Sequence, residues 1–262
     1  MKQLSKLSPA ETLLVLQDKK ASLRELLKVT FLDLLLKQVV RTFDLVQQPT
    51  VRNKDSGYKY VEIGKNFWTY QPLPHENIFL TPFQKSPSLQ VLFRNMVKTG
   101  YQNAKSKGKF TSLLLQSPSM DTCFSRSILQ SLFGGFSITL EGQELRNIVS
   151  AEILELENQL PSLILNEPEK AQDIMYAIKG NIFLVDNIEF DLLKQKIDNE
   201  LLAEFNKRDD TNNGGGCSGF AWYGFDDYSD SFDSSCGSGD SGCAGGGCGG
   251  GGCGGGGCGG GD

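Results

Sequence analysis

The sequence is poor in the residues and motifs that mark an enzyme. It has one histidine in 262 residues, His75, so a serine or cysteine nucleophile would have only one histidine base to draw on. His75-Glu76 is not a metalloprotease motif, because Phe79 stands where the second histidine would be. Neither a G-x-S-x-G elbow nor a G-x-x-x-x-G-K-[ST] phosphate loop is present. A His75–Cys123 dyad is the one nucleophile–base pair left open, and the composition favours a protein that is not an enzyme.

Long apolar runs are also missing. No stretch approaches the ~20 consecutive apolar residues that a membrane span needs. The first apolar residues are interrupted by Glu11, Asp18, Lys19 and Lys20, so no secretory signal is expected. These absences predict a cytoplasmic protein without a membrane partner, whose seven cysteines are reduced.

The last part of the chain lacks most of what builds a core. From Asp209 onward there is no Lys, Arg, Pro, Leu, Ile or Val. All 26 basic residues and 23 of the 31 acidic residues precede Asp209, so residues 1–208 carry +3 and residues 209–262 carry −8. Glycine loses much backbone freedom on ordering and buries no side chain, so residues 209–262 are predicted to be a disordered low-complexity tail.

Within that tail a cysteine recurs every five residues in nearly pure glycine. The four positions are Cys243, Cys248, Cys253 and Cys258. Four thiolates suit zinc, which is the one cofactor candidate, and C-x4-C is a tolerated ligand spacing. Ordering the sixteen residues that span them would cost roughly 1–2 kcal/mol each, which offsets the ~10–16 kcal/mol that a structural zinc supplies. Three interpretations therefore stay open: a flexible spacer, a modified segment and a loose metal-binding segment.

A stretch rich in aromatic and acidic residues precedes the cysteine repeat. Its aromatic residues are Phe220, Trp222, Tyr223, Phe225, Tyr228 and Phe232, interleaved with Asp226, Asp227 and Asp230. So much aromatic area exceeds what a solubilising linker needs, and it predicts a partner-binding segment.

The first part of the chain has strong helix signals. Ser8-Pro9-Ala10-Glu11 combines an N-cap serine, a proline at the first helical position and a glutamate that completes a capping box. Ser22-Leu23-Arg24-Glu25 repeats the signal before a leucine-rich helix. Alternating residues from Val39 to Val46, and again from Tyr58 to Ile63, predict two antiparallel strands. Helix, helix and hairpin is the order of a winged-helix unit, which we place at residues 1–70.

The rest of the body predicts an α+β, helix-dominated chain. Residues 71–145 are predicted to form a second small α+β unit, with a helix capped by Ser88 and a strand from Phe136 to Gly142. Residues 146–208 are predicted to be a helical C-terminal part. Helices are expected at 144–160, which crosses the start of this part, and at 171–178 and 190–205, with a short strand at 181–185.

Basic residues give a weak nucleic-acid signal. Lys105, Lys107 and Lys109 form a basic turn that could contact phosphates. The leucine-rich helix offers only Arg24, Lys28 and Lys37 to base edges, and a body charge of +3 is low for a DNA-binding domain.

Three features together are similar to a known group of proteins. Ser8-Pro9-Ala10-Glu11-Thr12-Leu13-Leu14, the leucine-rich helix and the cysteine–glycine terminus resemble uncharacterised bacterial proteins with an L-[ST]-P-x-E winged-helix-like region and a C-terminal Gly/Cys run. The resemblance implies a bacterial, non-enzymatic protein and assigns no role to any residue.

The leading hypothesis is a non-catalytic interaction protein, with a docking body, a protein partner and a flexible tail. The first alternative is a precursor or metal-handling protein whose tail is the functional part. The second is a nucleic-acid-binding winged-helix regulator.

Overall fold

The computed structural model describes residues 2–45, 58–125 and 135–186. This part of the chain is helix-dominated α+β, with small antiparallel sheets. The predicted helix at 190–205 and the tail at 209–262 lie outside the described residues.

Two capping boxes open the first two helices, as the sequence predicts. Helix α1 spans Pro9–Gln17, and the Ser8 backbone N–H donates to Glu11 Oε2 at 2.7 Å while Ser8 Oγ accepts from the Glu11 N–H at 3.4 Å. Helix α2 spans Leu23–Leu36, with the same exchange between Ser22 and Glu25 at 2.9 and 3.1 Å. Both predicted helix starts are confirmed.

The two caps differ in burial, which gives a prediction. Ser8 is 8% exposed and also contacts His75, whereas the bonds of the Ser22 cap are exposed to solvent. We expect Ser8→Ala to cost about 2 kcal/mol and Ser22→Ala about 0.5 kcal/mol, because water replaces only the exposed cap. Urea midpoints of the two variants measure this. Equal losses of unfolding free energy in the two variants would show that burial does not strengthen the Ser8 cap.

The two predicted strands and their antiparallel direction are confirmed, and the structure adds their register. Strand β1 (Val40–Leu45) pairs antiparallel with β2 (Tyr58–Ile63), from Val40 opposite Ile63 to Leu45 opposite Tyr58. A third short strand, β3 (Val91–Leu92), pairs antiparallel with β2 and gives the order β1-β2-β3.

The elements after the hairpin depart from the sequence prediction at two points. Helix α3 spans Asn77–Lys85, α4 spans Phe93–Ala104 and α5 spans Lys107–Leu114. The prediction of a helix capped by Ser88 is wrong, because Val91 pairs with Val61 in the sheet and α4 begins only at Phe93. A second small sheet pairs β4 (Phe124–Ser125) with β5 (Ser137–Ile138). Of the strand predicted at 136–142, only these two residues of β5 are a strand.

The C-terminal described part is built on one long helix. Helix α6 spans Leu140–Asn166, so it begins earlier than predicted and continues through Pro161. The predicted limit between units at residue 145 falls inside it. Helix α7 spans Pro168–Ile178. The predicted strand at 181–185 is wrong: Lys179–Leu184 is a 3₁₀ helix, held by Asn181, whose Nδ2 donates to the carbonyls of Leu4 and Leu7.

One cluster of buried apolar side chains runs from Leu4 to Val185. Helix α2 lies deep in it, with nine of its fourteen residues buried, and its Phe31 contacts Phe79 of α3 and Phe93 of α4. The described core is therefore continuous across residue 70, the predicted limit of the first unit. Among the helices of the described residues, none combines the length and apolar character that would let it cross a membrane.

Candidate interaction surfaces and the buried polar network

The three predicted lysines lie where α4 meets α5. Ser106 caps α5, its Oγ accepting from the Lys109 N–H at 3.3 Å, so Lys107 and Lys109 occupy the first turn of that helix. Lys105 ends α4 with a positive φ of 62°. Cations near a helix N-terminus oppose the helix dipole, so helix stability does not explain Lys107 and Lys109.

A long-range contact enlarges this basic turn. Lys107 Nζ donates to the backbone carbonyl of Lys19 at 2.6 Å, across 88 positions of the sequence. Lys19 and Lys20 are exposed at the end of a 3₁₀ helix, Asp18–Lys20, between α1 and α2. The contact creates one surface that we call the lysine patch: Lys19, Lys20, Lys105, Lys107 and Lys109.

The charge of the lysine patch is not neutralised from within the described part of the chain. Asp18, its nearest carboxylate in sequence, pairs instead with Arg146 at 3.6 Å. No ion pair within residues 2–45, 58–125 and 135–186 involves a lysine of the patch. The sequence prediction of the basic turn did not include Lys19 and Lys20. The pair of adjacent lysines between the two predicted helices could have indicated them.

Large apolar side chains are exposed at three further places in the described residues. Trp68 is 70% exposed in the turns after β2, with its ring edge-on to Phe67 at 5.2 Å. On α6, Leu140, Ile148, Leu154 and Leu165 are 75%, 45%, 59% and 45% exposed, and Tyr176 of α7 is 38% exposed. The exposed side chains of α6 lie singly among polar residues, which is usual at a protein surface.

Behind these surfaces lies a buried network of charged groups. Lys37, at the end of α2, contacts Asp33 Oδ2 at 2.6 Å, Glu76 Oε1 at 3.3 Å and the Tyr70 hydroxyl at 2.9 Å. The Tyr70 hydroxyl donates to both Glu76 oxygens at 2.8 and 2.9 Å. The backbone N–H of Leu73 donates to Glu76 Oε2 at 2.7 Å. This network ties α2 to the segment that leads into α3.

Burial controls the protonation of the network. Burial raises the pKa of Asp33 to about 6, against the attraction of Lys37. Burial disfavours the charged ammonium of Lys37, but the carboxylates of Asp33 and Glu76 outweigh it and hold the pKa of Lys37 above its usual value. Burial, followed by the Glu76 charge, raises the pKa of Tyr70. Lys37 therefore stays charged and Tyr70 stays a hydrogen-bond donor at neutral pH.

The raised pKa of Asp33 predicts a pH dependence. Asp33 titrates at about 6 in the folded chain and at 3.8 in the reference state, so between these values only the folded chain holds the proton. The contribution of Asp33 to stability therefore rises as pH falls. When the pH is lowered from 7 to 5, the free energy of unfolding of the wild type should rise by about 1 kcal/mol relative to that of Asp33→Asn. Paired urea titrations at the two pH values measure this gain, and a constant difference would contradict the raised pKa.

His75 is buried beside this network and has no hydrogen bond to Cys123. It is 1% exposed, its Nε2 lies 3.4 Å from Ser8 Oγ, and Nδ1 has no partner among the described residues. Burial lowers the pKa of His75, so the ring is neutral. Cys123 instead donates to the Ser119 carbonyl at 3.6 Å, and burial raises the pKa of its thiol. The hydrogen bonds of the two side chains thus go to Ser8 and Ser119, and not to each other.

The remaining predicted site residues lie outside the described residues. These are the metal candidates Cys243, Cys248, Cys253 and Cys258, and the partner-binding candidates Phe220, Trp222, Tyr223, Phe225 and Tyr228. Within the described ranges no three His, Cys, Asp or Glu side chains are placed to share a metal ion.

The fold and these surfaces define a helix-dominated α+β protein. The chain matches no protein-family model, no curated protein and no solved structure.

Proposed function

We propose that this is a non-catalytic interaction protein whose lysine patch binds an acidic, aromatic protein segment. The observation that carries the proposal is the Lys107–Lys19 contact, which gathers five lysines from two distant segments into one surface that forms no ion pair with the described residues. The chain itself contains a segment of the complementary kind, from Phe220 to Phe232, with aspartates between aromatic side chains. The ligand is this segment, in the same chain or in a second copy.

The lysine patch and the segment from Phe220 to Phe232 carry complementary chemical groups. Exposed lysines present mobile ammonium groups, which pair with carboxylates and lie over aromatic rings. Each exposed pair contributes only about 0.2–1 kcal/mol, so recognition needs several of them and weakens as salt rises. A patch of five lysines opposite Asp226, Asp227 and Asp230 meets that requirement.

A peptide titration tests the proposal. A labelled peptide of residues 219–233 is titrated into the full-length chain with its own Asp226, Asp227 and Asp230 replaced by Asn, so that the chain's own segment competes less, and Lys19, Lys105 and Lys109 are then replaced together by Gln. Losing three charge pairs should weaken binding roughly tenfold. The matched control replaces three other exposed lysines, Lys2, Lys6 and Lys85, and should bind as the wild type does. Equal affinity of both triple variants would refute the patch as the binding site.

A nucleic-acid-binding regulator is the alternative use of the same lysines. A winged-helix protein would insert a recognition helix, but α2 is buried along most of its length and Lys37 is engaged with Asp33 and Glu76. Phosphate contacts would therefore come from the lysine patch. An oligonucleotide that binds more tightly than the peptide, with a steep salt dependence, would favour this alternative.

The precursor or metal-handling alternative depends on the tail cysteines. Replacing Cys243, Cys248, Cys253 and Cys258 by Ser should abolish zinc binding if the tail holds metal, and affinity should rise with pH because thiolates are the ligands. If the tail is modified, protein from its native host should show mass shifts confined to the tail. Unmodified native protein that binds no zinc at micromolar concentration would exclude both roles.

A further inference from the structure

The charges of the described chain are strongly segregated along the sequence. Residues 77–120 contain six basic residues and no Asp or Glu, whereas residues 135–186 contain three basic and nine acidic residues. The low net charge of the body therefore averages two regions of opposite sign. Helix α4 lies in the middle of the basic region and has no carboxylate of its own. A basic region of this kind is typical of surfaces that bind polyanions.

One side of α4 is fixed against the core. Its buried residues are Phe93, Met96, Val97, Gly100 and Ala104. Gly100 lets α4 approach α3 closely, because a Cβ at this position would lie 2.4 Å from the Phe79 ring. Asn103 Nδ2 adds a hydrogen bond of 2.7 Å to the Ile78 carbonyl. This packing fixes the rotation of α4 about its own axis, and with it the residues that face solvent.

The opposite side of α4 presents cations and amides to solvent. We call Arg94, Asn95, Lys98 and Gln102 the α4 face, because all four are exposed and lie within an arc of about 100° around the helix. Within residues 2–45, 58–125 and 135–186, none of these four side chains forms an ion pair or a hydrogen bond. A solvated helix surface commonly alternates charges of both signs. Two cations and two amides without a carboxylate instead indicate an anionic ligand.

The α4 face has the chemistry and the dimensions to bind duplex DNA. Arg and Lys pair with phosphates or with the O6 and N7 acceptors of guanine, and Asn and Gln pair with the N6 and N7 groups of adenine. An α-helix with its side chains is about 10–12 Å across, and the major groove of B-DNA is about 12 Å wide. From Arg94 to Gln102 the face is about 12 Å long, which covers about three to four base pairs. The major groove of duplex RNA is too narrow for side chains to read, so the same helix favours DNA.

We propose that the α4 face binds double-stranded DNA, with α4 in the major groove. Arg94 and Lys98 contact phosphates or guanines, and Asn95 and Gln102 contact base edges. The proposal does not rest on the proposed function, because the α4 face shares no residue with the lysine patch.

Binding of a labelled DNA duplex of random sequence to the full-length chain tests the cations of the face. Arg94→Gln combined with Lys98→Gln should weaken binding roughly tenfold and lower the slope of log K against log salt by about 2, because two phosphate contacts are lost. The matched control, Lys2→Gln with Lys6→Gln, removes two exposed lysines at the start of the chain and should leave affinity and slope nearly unchanged. Urea midpoints check that both double variants keep the stability of the wild type.

The amides test whether α4 lies in the major groove. The wild-type chain is used to select its preferred duplex from a random pool. Asn95→Ala combined with Gln102→Ala should lower the affinity for the selected duplex roughly tenfold and leave the affinity for the unselected pool nearly unchanged. Contacts to base edges carry sequence information, whereas phosphate contacts do not.

Four results would overturn the proposal. The first is a wild-type chain that does not bind duplex DNA at low salt, and the second is an equal loss of affinity in the Lys2 and Lys6 control. The third is DNA binding that survives both α4 variants and is lost when Lys19, Lys105 and Lys109 are replaced by Gln, which would assign DNA to the lysine patch. The fourth is tighter binding of single-stranded RNA than of duplex DNA. The peptide titration reports on the lysine patch alone, so either proposal can fail without the other.

Discussion

Replacing Lys37 by Met should destabilise the protein by about 3–5 kcal/mol. Lys37 is the cation between Asp33 and Glu76, whose side chains are each 1% exposed. Methionine fills a similar volume but leaves both carboxylates buried without a countercharge. Urea unfolding measures the loss. The control is Lys85→Met on α3, where an exposed lysine is replaced and a change within about 0.5 kcal/mol is expected.

The same variant should respond to pH. Without Lys37, the pKa of Asp33 loses its main lowering influence and rises above about 6. The folded variant then takes up protons that the unfolded chain does not bind, so its stability rises as pH falls from 8 to 5. The difference in free energy of unfolding between the wild type and Lys37→Met should therefore become smaller as the pH falls. Two results would contradict the role of Lys37 as the countercharge of Asp33 and Glu76. One is a loss of unfolding free energy below about 1 kcal/mol at pH 8, and the other is a difference from the wild type that grows toward pH 5.

Replacing Phe31 by Ala should cost about 3–5 kcal/mol. Phe31 is fully buried, with ring centroids 5.2 Å from Phe79 and 5.4 Å from Phe93. The truncation leaves a cavity between α2, α3 and α4 that none of these helices can close alone. Calorimetry should show one transition at a lower temperature, and Trp68→Phe, at a site that is 70% exposed, should leave that temperature nearly unchanged.

The shape of the Phe31→Ala transition carries separate information. The predicted division into units at 1–70 and 71–145 would give two transitions, of which only the first is strongly shifted. The continuous core from Leu4 to Val185 predicts a single shifted transition instead.

Local signals in the sequence predicted the first half of the fold well. The two capping boxes and the alternating strands each depend on residues within a few positions, so α1, α2, β1 and β2 could be located. Val91 and Leu92 could not be recognised as a strand, because pairing with Val61 and Tyr60 determines their conformation. The 3₁₀ helix at Lys179–Leu184 likewise depends on Asn181 reaching carbonyls more than 170 positions away.

The candidate surfaces were predictable only in part. Lys105, Lys107 and Lys109 stand together in the sequence, so their cluster was visible. Their union with Lys19 and Lys20 depends on a contact across 88 positions, which no local pattern encodes. The network of Lys37, Glu76 and Tyr70 was missed for the same reason, since up to 39 positions separate its hydrogen-bonded members.

The emission of Trp222 tests most directly whether the lysine patch binds the acidic aromatic segment. In a Trp68→Phe background Trp222 is the only tryptophan of the chain. Its emission should lie at shorter wavelength than in the free peptide of residues 219–233, and should return to the free-peptide value when Lys19, Lys105 and Lys109 are replaced by Gln or when salt is raised. Emission identical to that of the free peptide at every protein concentration, with the patch intact, would contradict the proposed function.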